Sequence, residues 1–132
     1  MNRSVEDYIK VILTLGGDKR YVGTVEVARQ LEIKAPSVTQ MFKRLNELGL
    51  VTYKPRIGVK LSDKGFHEAA KILRRNLIFR VFLTEILGLS EEEAVKEACK
   101  LEHVVTDEVL ERILKLISSK EKITQYEKII SE

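Results

Sequence analysis

With 132 residues the chain has room for one domain, or for a small head joined to a small second unit. Its single cysteine excludes an internal disulfide and points to a reducing, cytoplasmic setting; no apolar run approaches the ~20 residues that cross a membrane, and the start has no hydrophobic signal core. The net charge of +3 is unevenly placed: residues 1–61 hold a surplus of five cations and the remainder a deficit of two, the asymmetry expected of a head that meets phosphate.

Ser4 begins a capping box and opens a first predicted helix, with Val5, Ile9, Ile12 and Leu13 on one apolar face and Tyr8 beside it. Gly16-Gly17 ends this helix. Thr24 is placed to cap a short second helix over residues 25–31, and Glu32-Ile33-Lys34-Ala35 makes a tight connection. Pro36 suits the first turn of a third helix, where its missing N–H does no harm. Val38, Met41, Phe42, Leu45 and Leu48 form the buried stripe of that helix, and Gly49 stops it. Two alternating runs, residues 50–53 and 59–61, flank Lys54-Pro55-Arg56-Ile57-Gly58 and predict a β-hairpin. Helix, helix, turn, helix, basic hairpin is the order of a winged helix-turn-helix.

In that fold the third helix enters the major groove of DNA. Gln40 suits a bidentate contact to adenine, and Thr39 or the Pro36 ring suits a thymine methyl. Ser37, Lys43 and Arg44 suit phosphates, while Lys54, Arg56 and Lys60 make a basic wing for backbone or minor-groove contact. A winged helix also serves as a protein-binding module, which would show no salt-dependent DNA affinity.

The second half predicts helices only. Ser62 opens a long one to about Leu87, in which Gly65 is a tolerated propensity cost, and Gly88 stops it. Its apolar positions include Ile72, Leu73, Leu77, Ile78, Phe82 and Ile86. Ser90-Glu91-Glu92-Glu93 is a capping box for a helix through Cys99 to about His103. Thr106 caps another to about Ile117, and Thr124 starts a last short one. Such helices often pair with a second copy of themselves. The expected fold is therefore mainly α: an N-terminal winged helix-turn-helix over residues 1–61, then an all-helical dimerisation domain over residues 62–132.

Cys99, Glu102 and His103 fall at i, i+3 and i+4, one face of a helix. A thiol, a carboxylate and an imidazole together suit a borderline divalent transition metal, although such a site usually needs a fourth ligand. Read singly, each has an ordinary role: a small buried thiol, a solvated carboxylate, an imidazole capping carbonyls. Nothing predicts an enzyme. There is no His-Glu-x-x-His run, no glycine-rich phosphate loop and no paired nucleophile and base, and His67 is expected on a helix surface.

Glu97-Ala98-Cys99-Lys100-Leu101-Glu102-His103-Val104, followed by Asp107-Glu108-Val109, resembles the metal-binding segment of the diphtheria-toxin-repressor family of iron- and manganese-dependent transcriptional repressors. Glu6-Asp7-Tyr8-Ile9 resembles its first-helix motif, Ala35-Pro36-Ser37-Val38-Thr39-Gln40 its recognition helix, Leu50-Val51 the start of its wing, and Thr84-Glu85-Ile86-Leu87-Gly88-Leu89 its dimer-helix segment. The resemblance implies a homodimer on palindromic operator DNA, in a short form without the family's SH3-like domain. It also supplies Asp7 as the fourth ligand, giving the set Asp7, Cys99, Glu102 and His103.

Asp7 follows the manganese branch, Cys99 the iron branch, and Glu102 and His103 both. The chain departs from the pattern at Lys10, where the manganese branch has a second carboxylate, and at Asn76, where both branches have a histidine. Arg80 and Val95 replace two ancillary ligands of the iron branch. One metal per subunit is the expectation, Fe²⁺ favoured by the thiol and Mn²⁺ second, with Co²⁺, Ni²⁺ and Zn²⁺ as in vitro substitutes. The expected function is a metal-dependent repressor controlling metal homeostasis. The alternative is a winged-helix regulator that works without metal or answers to a small molecule.

Overall fold

The first helix, α1 (Arg3–Thr14), is capped by Asn2 and not by Ser4: the Asn2 Oδ1 accepts the Val5 N–H at 2.9 Å. Its buried stripe is Val5, Tyr8, Ile9 and Ile12, with Leu13 half-buried. Each fully buried side chain of this size contributes about 1.5–3 kcal/mol relative to exposure. The helix ends in a Schellman turn, Gly16 taking φ +92° while the Gly17 N–H reaches the Ile12 carbonyl at 2.8 Å.

α2 (Thr24–Leu31) starts one residue earlier than Thr24 capping requires. Gly23 is the cap, and Glu26 reaches back to accept its N–H at 2.9 Å. Arg20 holds the same carboxylate at 2.7 Å. α3 (Ala35–Glu47) buries Val38, Phe42 and Leu45 and half-buries Met41. Leu48 is 42% exposed, because it is the C-cap residue from which the chain turns away, rather than a member of the stripe. Gly49 at φ +75° completes a second Schellman turn.

β1 (Val51–Lys54) and β2 (Gly58–Leu61) pair antiparallel, with Val51 opposite Leu61 and Lys54 opposite Gly58. Val22 adds a bridge to Val59, with N–H to O distances of 2.7 and 2.9 Å. At the hairpin's tip the Ile57 N–H bonds the Lys54 carbonyl at 3.0 Å. Pro55 holds the second turn position, and Arg56 takes the third at φ +69°, a type II arrangement that favours glycine. The left-handed backbone costs an arginine about 1–2 kcal/mol.

α4 (Asp63–Glu85) begins with Ser62, whose Oγ accepts the Gly65 N–H at 3.1 Å and donates to the Gly49 carbonyl at 2.6 Å. Gly65 is not a mere tolerated cost. A Cβ there would run into the Leu50 carbonyl oxygen, so the close approach of α4 to that strand admits only glycine. The structure, a computed structural model, describes residues 1–131 and divides within α4, the first unit being Met1–Ala69 and the second beginning at Ala70.

The second unit contains the rest of α4 with α5 (Glu91–Leu101), α6 (Asp107–Leu114) and α7 (Glu121–Ser131). Gly88, at φ +73°, turns the chain after α4. Ser90 and Glu93 form the capping box of α5, with the Glu93 N–H on the Ser90 Oγ at 3.1 Å. Thr106 caps α6 by accepting the Val109 N–H at 3.3 Å. α7 starts at Glu121, a turn before Thr124, and Thr124 lies inside it. The core gathers Ile78, Phe79, Leu83, Ala94, Ala98, Leu110, Ile117 and Ile123. Ile86 falls outside it, 47% exposed. No helix among the described residues is long and apolar enough to cross a membrane.

Arg74 crosses this unit. Its guanidinium, 16% exposed, bonds Glu111 on α6 at 2.8 Å and Glu127 on α7 at 3.0 Å. Burial alone would lower its pKa, but the two carboxylates outweigh that and raise it, so the charge is fixed.

Candidate DNA-reading surface and metal centre

The side chains left exposed on α3 define one surface. Pro36, Ser37, Gln40, Lys43 and Arg44 are all exposed, on the side away from Val38, Phe42 and Leu45. Thr39 is half-buried and donates its hydroxyl to the Ala35 carbonyl at 3.3 Å. α3 is pinned to the hairpin by the Asn46 Oδ1, which accepts the Tyr53 N–H at 3.2 Å, and by Phe42 and Tyr53, whose ring centroids are 6.1 Å apart. Helix and wing therefore form one rigid piece. Sequence reasoning missed Asn46 and Tyr53 because neither carries charge or lies on the outward face.

The three basic wing residues differ. Lys54 is exposed, but its Nζ lies 4.8 Å from the centre of the Tyr21 ring, a cation–π contact that holds it against the body. Arg56 is exposed at the turn, and Lys60 is half-buried on β2.

Asp7 stands half-buried on α1 in the first unit, with the Arg3 Nε 3.9 Å from its Oδ2. The other three predicted ligands lie in the second unit. α5 ends at Leu101, so Cys99 is in its last turn, Glu102 is its C-cap residue and His103 lies in the turn beyond, two residues short of the expected helix end. The Glu102 side chain is 0% exposed and that of His103 3%, and the His103 Nε2 is 3.5 Å from the Glu102 Oε1. Cys99 is half-buried, and its Sγ receives the Asn76 Nδ2 at 3.9 Å. Asn76, buried on α4, thus turns an amide N–H toward the sulfur; an amide nitrogen has no lone pair to offer a metal.

A fully buried carboxylate is costly unless positive charge compensates it. Carboxylate and imidazole meeting at a helix end are donors that a divalent transition metal takes, and the Cys99 sulfur is not gathered with them.

Two family models match in tandem. Residues 1–59 match "Iron dependent repressor, N-terminal DNA binding domain", and residues 62–130 match "Iron dependent repressor, metal binding and dimerisation domain". Among curated proteins, an uncharacterised HTH-type transcriptional regulator of Methanocaldococcus jannaschii is 46% identical over 114 residues, covering 86% of this chain and 91% of that protein. The diphtheria toxin repressor of Corynebacterium glutamicum is 29% identical over 86% of this chain and 50% of its own length. Among solved structures, the manganese regulator SloR superposes with a TM-score of 0.74 at 32% identity, over 88% of this chain and 54% of that one. The chain thus spans about half the length of the latter two.

Proposed function

Because the chain belongs to the iron-dependent repressor family, we propose that it is a homodimeric, metal-dependent repressor in the cytoplasm that controls metal homeostasis from palindromic operator DNA. The family is one of transcriptional repressors, not enzymes. The observation that carries the reading is the buried Glu102–His103 pair, in the part of the chain that matches a metal-binding domain, on the same polypeptide as the exposed, basic α3.

Asp7, Cys99, Glu102 and His103 are the proposed ligands, with one ion per subunit because Lys10 and Asn76 hold places where the family resemblance implies further ligands. A bound divalent ion would add positive charge beside these acids. Asp7 reports the position of the reading head, since Val5, Tyr8, Ile9 and Ile12 lock α1 into that unit's core. Tying it to the end of α5 would set the distance between the two recognition helices of a dimer, matching half-sites about 34 Å or a multiple apart. Ile86, Leu87, Val109 and Leu116, all exposed on the second unit, support its pairing with a copy. Gln40, Thr39 and Pro36 read or touch bases, Ser37, Lys43 and Arg44 meet phosphates, and Lys54, Arg56 and Lys60 meet the backbone or minor groove.

The family description names iron, while SloR is a manganese regulator. The Cys99 thiolate favours Fe²⁺, with Mn²⁺ second. Linkage requires that DNA tighten metal binding by the factor with which metal tightens DNA binding.

The test is DNA affinity of the full chain, on duplexes selected from a random pool, with anaerobic Fe²⁺, Mn²⁺, Zn²⁺ or chelator in turn. Binding is expected with metal and lost with chelator, and Arg44→Glu should abolish it. Cys99→Glu should move the ranking toward Mn²⁺. Equal affinity with chelator would favour the metal-independent or small-molecule-responsive regulator, and an unchanged metal ranking would remove Cys99 from the ligand set.

A further inference from the structure

The tip of the wing carries two side chains that the turn itself does not want. Arg56 sits at φ +69°, where glycine is the natural residue. Ile57 follows it, 58% exposed, where turn residues are ordinarily small or polar. A backbone outlier of this kind points toward function when its side chain faces outward.

The tip is also held in place. Asn46 and Phe42 fix β1 to α3 through Tyr53. Val22 fixes β2 through Val59, and Gly58 lies so close to the Val22 carbonyl that a Cβ would collide with it. Lys54 rests over Tyr21 and Lys60 is half-buried, so Arg56 is the outermost cation of the hairpin. A phosphate contact alone would account for the arginine but would leave Ile57 without a purpose. A narrow minor groove accounts for both. Its enhanced negative potential draws a guanidinium, and its walls and floor, where A·T pairs lack the guanine amino group, accept an apolar side chain.

We propose that Arg56 and Ile57 form a minor-groove reading tip that selects A·T-rich sequence at a fixed distance from each site read by α3. This rests on the operator-binding reading above. It gives the wing a share in specificity where a basic hairpin alone would add only affinity.

The test uses the full chain with Mn²⁺ and a random-sequence duplex pool, comparing wild type with Arg56→Gly and Ile57→Ser. Wild type should enrich a palindromic core together with an A·T-rich stretch at constant spacing. On the best duplex, replacing those A·T pairs with G·C should weaken binding about tenfold. Inosine–cytosine pairs, which lack the minor-groove amino group, should restore it. Arg56→Gly should keep the core but lose the A·T preference, with a urea midpoint no lower than wild type. Ile57→Ser should weaken the preference without touching the strained position. An unchanged A·T preference in both variants, or none in wild type beside a clear core, overturns the proposal. Failure to enrich any core would instead sink the operator-binding reading.

Discussion

The two units are held together by different parts of the chain. In the first, backbone bonds between elements add to the apolar core and the Asn46 and Phe42–Tyr53 contacts: the Leu61 N–H on the Gly17 carbonyl at 2.7 Å, Val22 on Val59, and the Ser62 N–H on the Leu50 carbonyl at 3.0 Å. Gly58 and Gly65 lie where the backbone of one element meets another with no space for a side chain. In the second, helix is joined to helix through side chains: the apolar core, Arg74 bridging Glu111 and Glu127, and Glu85, whose Oε2 accepts the Ser118 N–H at 2.8 Å. Backbone joints fix a shape. Side-chain joints let packed helices slide by small amounts. A reading head needs the first property and a switch needs the second.

Gly65→Ala should break the contrast most sharply. In an ordinary helix this change is favourable by about 1 kcal/mol. Here the new Cβ meets the Leu50 carbonyl, and a loss of about 3 kcal/mol is expected in urea unfolding of the full chain. A raised midpoint would show that the first unit yields as readily as the second. Arg74→Met comes next. It leaves Glu111 and Glu127 without their shared cation but keeps the stem's packing, and those acids are 56% and 40% exposed, so about 1–2 kcal/mol is expected. Hydrogen exchange should quicken in α6 and α7 and stay unchanged in α1 to α3; equal quickening in both units would deny that the network is local.

The smallest effect concerns Glu26. The Arg20 guanidinium, and then the Gly23 N–H, hold its carboxyl at about 2 instead of 4.5. A depressed folded pKa contributes stability above the unfolded value that is lost as pH falls through the folded one, so the window is pH 4.5 down to 2. With the side chain 43% exposed, less than about 1 kcal/mol is at stake. Stability measured across that window should fall less in Glu26→Gln than in wild type; identical slopes would remove Glu26 as a contributor.

What was legible in the sequence was what is local. Ser90 with Glu93, the glycines after α1, α3 and α4, and the period of α3 each act within a few residues, and each forms as expected. The N-terminal cap was ambiguous, since Asn2 and Ser4 are both cap formers and only Ser4 has an acid three residues on. Gly65 was misjudged because its constraint comes from Leu50, on the far side of the whole hairpin. Cys99, Glu102 and His103 stood out by helical spacing, yet the helix stops at Leu101, and only Glu102 and His103 of the three are gathered together. Asp7 had no local signal as a ligand and entered through family resemblance. Asn76 against Cys99 joins residues on different helices, a pairing that no periodicity shows.

The position of the Arg74 network has a consequence for biosynthesis. Chains emerge at about 5–20 residues per second, N-terminus first, and domains fold as units. The first unit has all its joints once Gly65 and the first turns of α4 have appeared. Arg74 follows soon after, but Glu127, its second partner, comes 53 residues later. The nascent protein thus has a finished reading head while its second unit is still open and its guanidinium hydrated. Completion of the part that matches a dimerisation domain is thereby deferred until Glu127 has emerged.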